Sequence, residues 1–201
     1  MTLREPHKHS YIQASKDALF LILRPLVRWL SIMRVRPDTL TVIGWTLALF
    51  SAVLFGLGYA RIAGAVMLFG GLFDALDGAV ARESNRMSSF GAFLDSTLDR
   101  LSESAVFVGL IFYYASSARP YEALLAAVAM TFSLLTSYAR ARAEGLNIDC
   151  KVGLLERAGR VVILSVFSIV GLPTVGLGLL AAGALVTTAQ RILHVRRASR
   201  G

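Results

Sequence analysis

The segment from Asp74 to Asp99, DALDGAVARESNRMSSFGAFLDSTLD, places four carboxylates between two stretches apolar enough to enter a bilayer. Carboxylates three or four apart on a helix share a face. Asp74 and Asp77 therefore project together from the end of one helix, and Asp95 and Asp99 from the start of the next. If those helices pack as a hairpin, the four acids converge. Such a group cannot stay ionised in a low-dielectric site without cations. Oxygen ligands without His or Cys favour Mg²⁺ or Mn²⁺ over zinc.

Two plainer readings compete: acids paired to Arg or Lys on a neighbouring helix, and acids lining a cation pathway. Gly78, Ala81 and Gly91 remove side-chain bulk beside the carboxylates. A ligand lying against backbone needs that space, whereas a salt bridge does not. Arg82 adds a planar fork that suits phosphate oxygens.

The surrounding chain explains why the acids are unusual. Of 201 residues, 55% are hydrophobic and 17% charged, with a mean hydropathy of +0.61. That composition excludes an ordinary soluble domain and indicates an all-α membrane protein. The net charge of +8 fits Lys- and Arg-loaded cytoplasmic loops better than nucleic-acid binding. The single cysteine, Cys150, allows no internal disulfide and falls in a charged loop. The first 16 residues are polar and lack the pattern of a cleaved signal peptide.

From Tyr11 to Met33 the apolar residues follow a helical period interrupted by Lys16, Asp17, Arg24 and Arg28, with Pro25 as a kink. An interfacial amphipathic helix over 11–34 is expected. Six apolar stretches follow: Leu40–Leu57, Ile62–Ala79, Phe90–Ala115, Tyr121–Ala139, Leu155–Val170 and Val175–Leu193. Arg36, Arg82, Arg86, Arg140, Arg142, Lys151, Arg157, Arg160, Arg191, Arg196, Arg197 and Arg200 all fall on one side of them, against Arg61 and Arg119 on the other. The positive-inside rule then gives six spans with both termini cytoplasmic, forming one bundle over 38–195 in a single domain, 1–201. Asp74 lies eight residues before Arg82, so at about 1.5 Å per residue it sits roughly 12 Å inward.

The acid segment matches without a gap the pattern Asp-x2-Asp-Gly-x2-Ala-Arg-x8-Gly-x3-Asp-x3-Asp, through Asp74, Asp77, Gly78, Ala81, Arg82, Gly91, Asp95 and Asp99. In this it resembles the CDP-alcohol phosphatidyltransferases. The resemblance implies a membrane enzyme that moves a phosphatidyl group from CDP-diacylglycerol to an alcohol and releases CMP, working as a homodimer. It also implies two Mg²⁺ ions (or Mn²⁺) on Asp74, Asp77, Asp95 and Asp99, with Asp99 as general base. The element Pro37-Asp38-Thr39-Leu40 is similar to the family's nucleotide-lipid contact, to which Gly78, Ala81, Arg82, Ser88 and Gly91 are added. Further along, Ser137-Tyr-Ala-Arg140-Ala-Arg142-Ala-Glu144, then Gly153-Leu-Leu-Glu156-Arg157-Ala-Gly-Arg160, then Gln190-Arg191 resemble the phosphatidylinositol-phosphate synthase branch. By that resemblance Ser137, Arg140, Arg160 and Arg191 hold a phosphorylated acceptor, inositol 3-phosphate. Arg140 stands where the branch has lysine. Phosphatidylglycerophosphate synthases share the Arg-Ala-Glu-Gly wording, so glycerol 3-phosphate is the alternative acceptor; a divalent-cation transporter is the alternative outside enzymes.

Overall fold

The computed structural model describes residues 24–33, 35–84 and 88–200. Residues 24–32 are helical (α1). Six helices follow: α2 (Pro37–Gly56), α3 (Ala60–Glu83), α4 (Ser89–Ser116), α5 (Pro120–Glu144), α6 (Arg157–Ile169) and α7 (Pro173–Ala198). No strand occurs among the described residues. The helix starts follow from local chemistry. Pro37, Pro120 and Pro173 occupy first-turn positions, where the missing N–H removes no intrahelical bond. Ser88 caps α4 by accepting from the Gly91 N–H at 2.9 Å.

The helices close into a ring. α2 packs on α3 and α4, α3 on α6, α6 on α7, α7 on α5, and α5 on α4. Tight turns after α2, α4 and α6 gather at one end of the ring, and the connections after Glu83 and Glu144 lie at the other. Gly58, at φ +86°, makes the first tight turn possible. Close approach of α2 and α4 depends on Gly109, where a Cβ would stand 2.2 Å from the Ala52 carbonyl oxygen. The main core joins Phe55, Phe107, Leu110, Tyr114, Leu164, Leu177 and Leu180. A second, smaller core of Val27, Leu40, Leu76, Ala79 and Val80 seats α1 against the ring.

Among the described residues, four helices, α2, α3, α5 and α7, are long and apolar enough to cross a membrane. Among the remaining two, α6 has 13 residues, or about 20 Å of helix, against a hydrocarbon core of about 30 Å. The other, α4, is long enough but carries Asp95, Asp99 and Arg100 in its first half and Glu103 just beyond. Apolar side chains such as Phe50, Phe69, Phe112 and Leu124 point outward, as a lipid-facing surface requires.

The expected interfacial helix over 11–34 lies largely outside the described residues; its described part buries Val27 and exposes Trp29, Ile32 and Met33. Cys150 falls in the connection between α5 and α6, as expected, but is 0% exposed. The connection that carries it is strapped to α7, where Thr187 accepts from Leu155 N–H, Gln190 from Leu154 N–H, and Arg191 donates to the Val152 carbonyl. Those α7 residues recur at helical spacing, so one face of α7 holds the connection down.

Candidate active site

The acids gather at the end of the ring opposite the tight turns, but not through a hairpin of α3 and α4. The extensive neighbours of α3 are α2 and α6, and those of α4 are α2 and α5. Consecutive membrane helices need not pack when short turns pair each with its other neighbour. The acids instead border the space between α3 and α4, where Asp74, Asp77, Asp95 and Asp99 lie near enough to repel one another.

Asp77 is buried and accepts a hydrogen bond from the Thr41 hydroxyl at 2.6 Å. Asp74 and Asp99, half-buried, share one partner: Arg157 Nη2 stands 2.9 Å from Asp74 Oδ2 and 2.8 Å from Asp99 Oδ1. Gly44 of α2 makes room beside Asp74, since a Cβ there would fall 2.7 Å from Asp74 Oδ1. A cleft open to solvent is lined by Pro37, Asp38, Thr41, Asp77, Gly78, Ala81, Arg82, Ser88, Gly91, Ala92 and Asp95. A small hollow, with room for about one water, is lined by Gly44, Gly70, Gly71, Asp74, Ser102, Glu103 and Arg157.

Of the residues expected at the nucleotide-lipid, Pro37, Asp38, Gly78, Ala81, Arg82, Ser88 and Gly91 line one cleft. Thr39 is exposed outside that lining, and Leu40 is buried in the small core beneath it. A Cβ at Gly91 would press on Ser88 Oγ at 3.0 Å, so this glycine protects the cap that shapes the cleft wall.

The expected acceptor residues are arranged differently. Arg160 is 1% exposed and grips Glu103 with two nitrogens, at 2.6 and 2.9 Å, while Nη2 also reaches Ser137 Oγ at 3.2 Å. Arg191 is buried and donates to the carbonyls of Val152 and Thr136. Arg140 is half-buried and pairs with Glu144 at 2.8 Å. Ser137, Arg160 and Arg191 thus form a polar wall tying α4, α5, α6 and α7 together.

Four residues take roles in this site that the sequence reading does not assign them: Thr41, Gly44, Glu103 and Arg157. Weak signals existed for two of them. Glu103 stands one turn beyond Asp99, and Arg157 one turn before Arg160, so both share faces with residues already singled out.

Among the described residues no three acidic, His or Cys side chains already converge tightly enough to hold an ion. Two observations nevertheless fit a divalent cation. The donors are hard carboxylate oxygens, and an arginine nitrogen already stands as a cation between two of them. Pairing to Arg157 alone does not account for the group. One guanidinium offsets one of four negative charges, and Asp77 and Asp95 face the cleft.

Over this ring of apolar helices with its carboxylates near one polar end, residues 34–190 match the sequence pattern of the CDP-alcohol phosphatidyltransferases. The chain belongs to that family. More particularly, it is 36% identical over 189 residues to the phosphatidylinositol phosphate synthase of Mycobacterium tuberculosis (strain ATCC 25618 / H37Rv), covering 89% of this chain and 87% of that protein. It is also 36% identical over 165 residues to the archaetidylinositol phosphate synthase of Methanothermobacter thermautotrophicus, covering 79% and 82%. The crystal structure of the Mycobacterium tuberculosis enzyme with CDP-DAG bound aligns with a TM-score of 0.77 at 34% identity, over 85% of this chain and 92% of that one. The same enzyme in complex with manganese and citrate aligns with a TM-score of 0.77 at 34% identity, over 85% and 87%.

Proposed function

We propose that this enzyme transfers a phosphatidyl group from CDP-diacylglycerol to inositol 3-phosphate, giving phosphatidylinositol phosphate and CMP. The observation that carries the reading is one cleft, from Pro37 to Asp95, opening directly beside four carboxylates. Support for the acceptor comes from relatives named for inositol phosphate on two different lipid classes.

The cytidine diphosphate lies in the cleft against Gly78, Ser88 and Gly91, and Arg82 holds pyrophosphate oxygens with charge-assisted hydrogen bonds. Pro37 and Asp38 close the cleft's rim, Leu40 anchors that segment in the small core, and Ala81 keeps the cleft's wall low. Two Mg²⁺ or Mn²⁺ ions on Asp74, Asp77, Asp95 and Asp99 would neutralise the pyrophosphate and make its lipid-bearing phosphorus electrophilic. Thr41 fixes Asp77 so that its free oxygen faces the cleft. The acceptor hydroxyl gives its proton to Asp99 Oδ and its oxygen bonds to the phosphorus bearing diacylglycerol. The bond from that phosphorus to the bridging oxygen breaks, and CMP leaves with the electron pair. Ser137, Arg140 and Arg191 present the wall against which the acceptor's phosphate is oriented, and Arg160, bound to Glu103, holds that wall in place.

The test is an acceptor panel scored by CMP release: inositol 3-phosphate, free inositol, glycerol 3-phosphate and serine, each with and without divalent metal. Inositol 3-phosphate is expected to dominate, and only with metal present. Preference for glycerol 3-phosphate would replace this reading with the phosphatidylglycerophosphate one. Ion movement without any CDP-lipid would replace both with transport.

All six helices of the ring cross the cytoplasmic membrane in this reading, as a homodimer, with the Arg-rich end and both termini facing the cytoplasm. The buried Cys150 cannot report on this, but its neighbours can, because Asp149 and Lys151 are exposed. Lys151→Cys should react with a membrane-impermeant maleimide only after lysis. Labelling of intact cells would reverse the orientation.

A further inference from the structure

We infer that Arg157 is a resident counter-cation, which holds Asp74 and Asp99 together in the metal-free enzyme and gives up that position when a divalent cation binds. This rests on the reading that the four acids take such a cation. Three features carry it. First, the bridge joins different helices: Asp74 comes from α3, Asp99 from α4, and Arg157 is the first residue of α6. Without Arg157, two carboxylates from separate helices would face each other across a partly buried space, where their repulsion is poorly screened.

Second, the grip is made for release. Both ion pairs use the single nitrogen Nη2, and Nε is buried with no hydrogen-bond partner among the described residues. This is a one-point contact rather than the bidentate fork that makes an arginine–carboxylate pair strong. The contrast with Arg160, which grips Glu103 through two nitrogens one turn away, separates a fixed arginine from a displaceable one.

Third, the guanidinium has another acceptor at hand. It borders a small hollow that Ser102 and Glu103 also line. Carboxylate oxygens accept more than one hydrogen bond, so Glu103 can receive Arg157 while keeping Arg160. Metal and Nη2 compete for the same oxygens of Asp74 and Asp99, so the fraction of protein with Arg157 in place reduces the apparent metal affinity.

The experiment compares wild type, Arg157→Gln and Arg157→Gln/Asp99→Asn, purified in detergent. It reads Mn²⁺ binding by electron paramagnetic resonance and thermal unfolding in chelator or Mn²⁺. Arg157→Gln is expected to bind Mn²⁺ about tenfold more tightly than wild type. It should melt earlier than wild type in chelator and gain more from Mn²⁺. The double variant, with one repelling carboxylate neutralised, should recover much of the chelator stability. Protein that survives purification only with Mn²⁺ supports the inference equally. Unchanged or weaker Mn²⁺ binding in Arg157→Gln, or failure to fold even with Mn²⁺, overturns it. Absence of Mn²⁺ binding in wild type itself would instead remove the metal reading beneath it.

Discussion

Replacing Asp99 with asparagine should lower kcat for CMP release by about 10²- to 10⁴-fold, the usual contribution of a positioned general base, while CDP-diacylglycerol binding stays within a few-fold of wild type. The separation follows from where the residues sit. Asp99 lies on α4 at the Arg157 bridge, whereas the donor cleft is lined by Pro37, Asp38, Gly78, Arg82, Ser88, Gly91 and Asp95. Asparagine keeps the size of the side chain and one oxygen, but it cannot accept the acceptor hydroxyl's proton. Turnover under saturating substrates and CDP-lipid binding in detergent measure the two halves independently. A kcat within tenfold of wild type would remove Asp99 from proton transfer. Equal loss of donor binding would make it a structural or metal-holding residue only.

How much of the fold and site is legible in the sequence depends on the range of the interaction. Helix starts are local, so Pro37, Pro120, Pro173 and the Ser88 cap can be read from a few neighbouring residues. The nucleotide-lipid residues are legible for a similar reason: a helix end, a short connection and a helix start bring Gly78, Arg82, Ser88 and Gly91 to one cleft. The hairpin of α3 and α4 fails because sequence adjacency does not say which faces of a ring meet; α2 packs on both helices instead. The bridging role of Arg157 is not legible for the same reason at longer range. It lies 83 residues from Asp74, and nothing local distinguishes it from Arg160. The burial of Cys150 is not legible in its charged neighbours, because it depends on the strap from its connection to Thr187, Gln190 and Arg191.

The other large effect concerns Arg160, for which sequence and structure suggest different tests. If Arg160 chiefly meets the acceptor's phosphate, Arg160→Ala removes a charge-assisted contact. kcat/KM then falls by about 1.5–3 kcal/mol for a phosphorylated acceptor and hardly at all for an unphosphorylated one. The structure gives this side chain a different principal partner. Arg160 is buried and bonded to Glu103 through two nitrogens and to Ser137 through one of them, joining α6 to α4 and α5. Alanine would leave Glu103 buried without its guanidinium, and breaking one side of such a pair costs about 3–5 kcal/mol. Arg160→Ala is therefore expected to lose that much unfolding free energy in mixed micelles and to lose activity equally on both acceptors. Arg160→Met with Glu103→Leu, which removes the pair together, should recover most of the stability, because a buried ion pair replaced by apolar side chains of similar volume is often neutral or stabilising. Recovery of stability without activity on inositol phosphate would assign Arg160 both roles. A stable Arg160→Ala protein whose loss is confined to the phosphorylated acceptor would show that Glu103 is not its principal partner in the working enzyme.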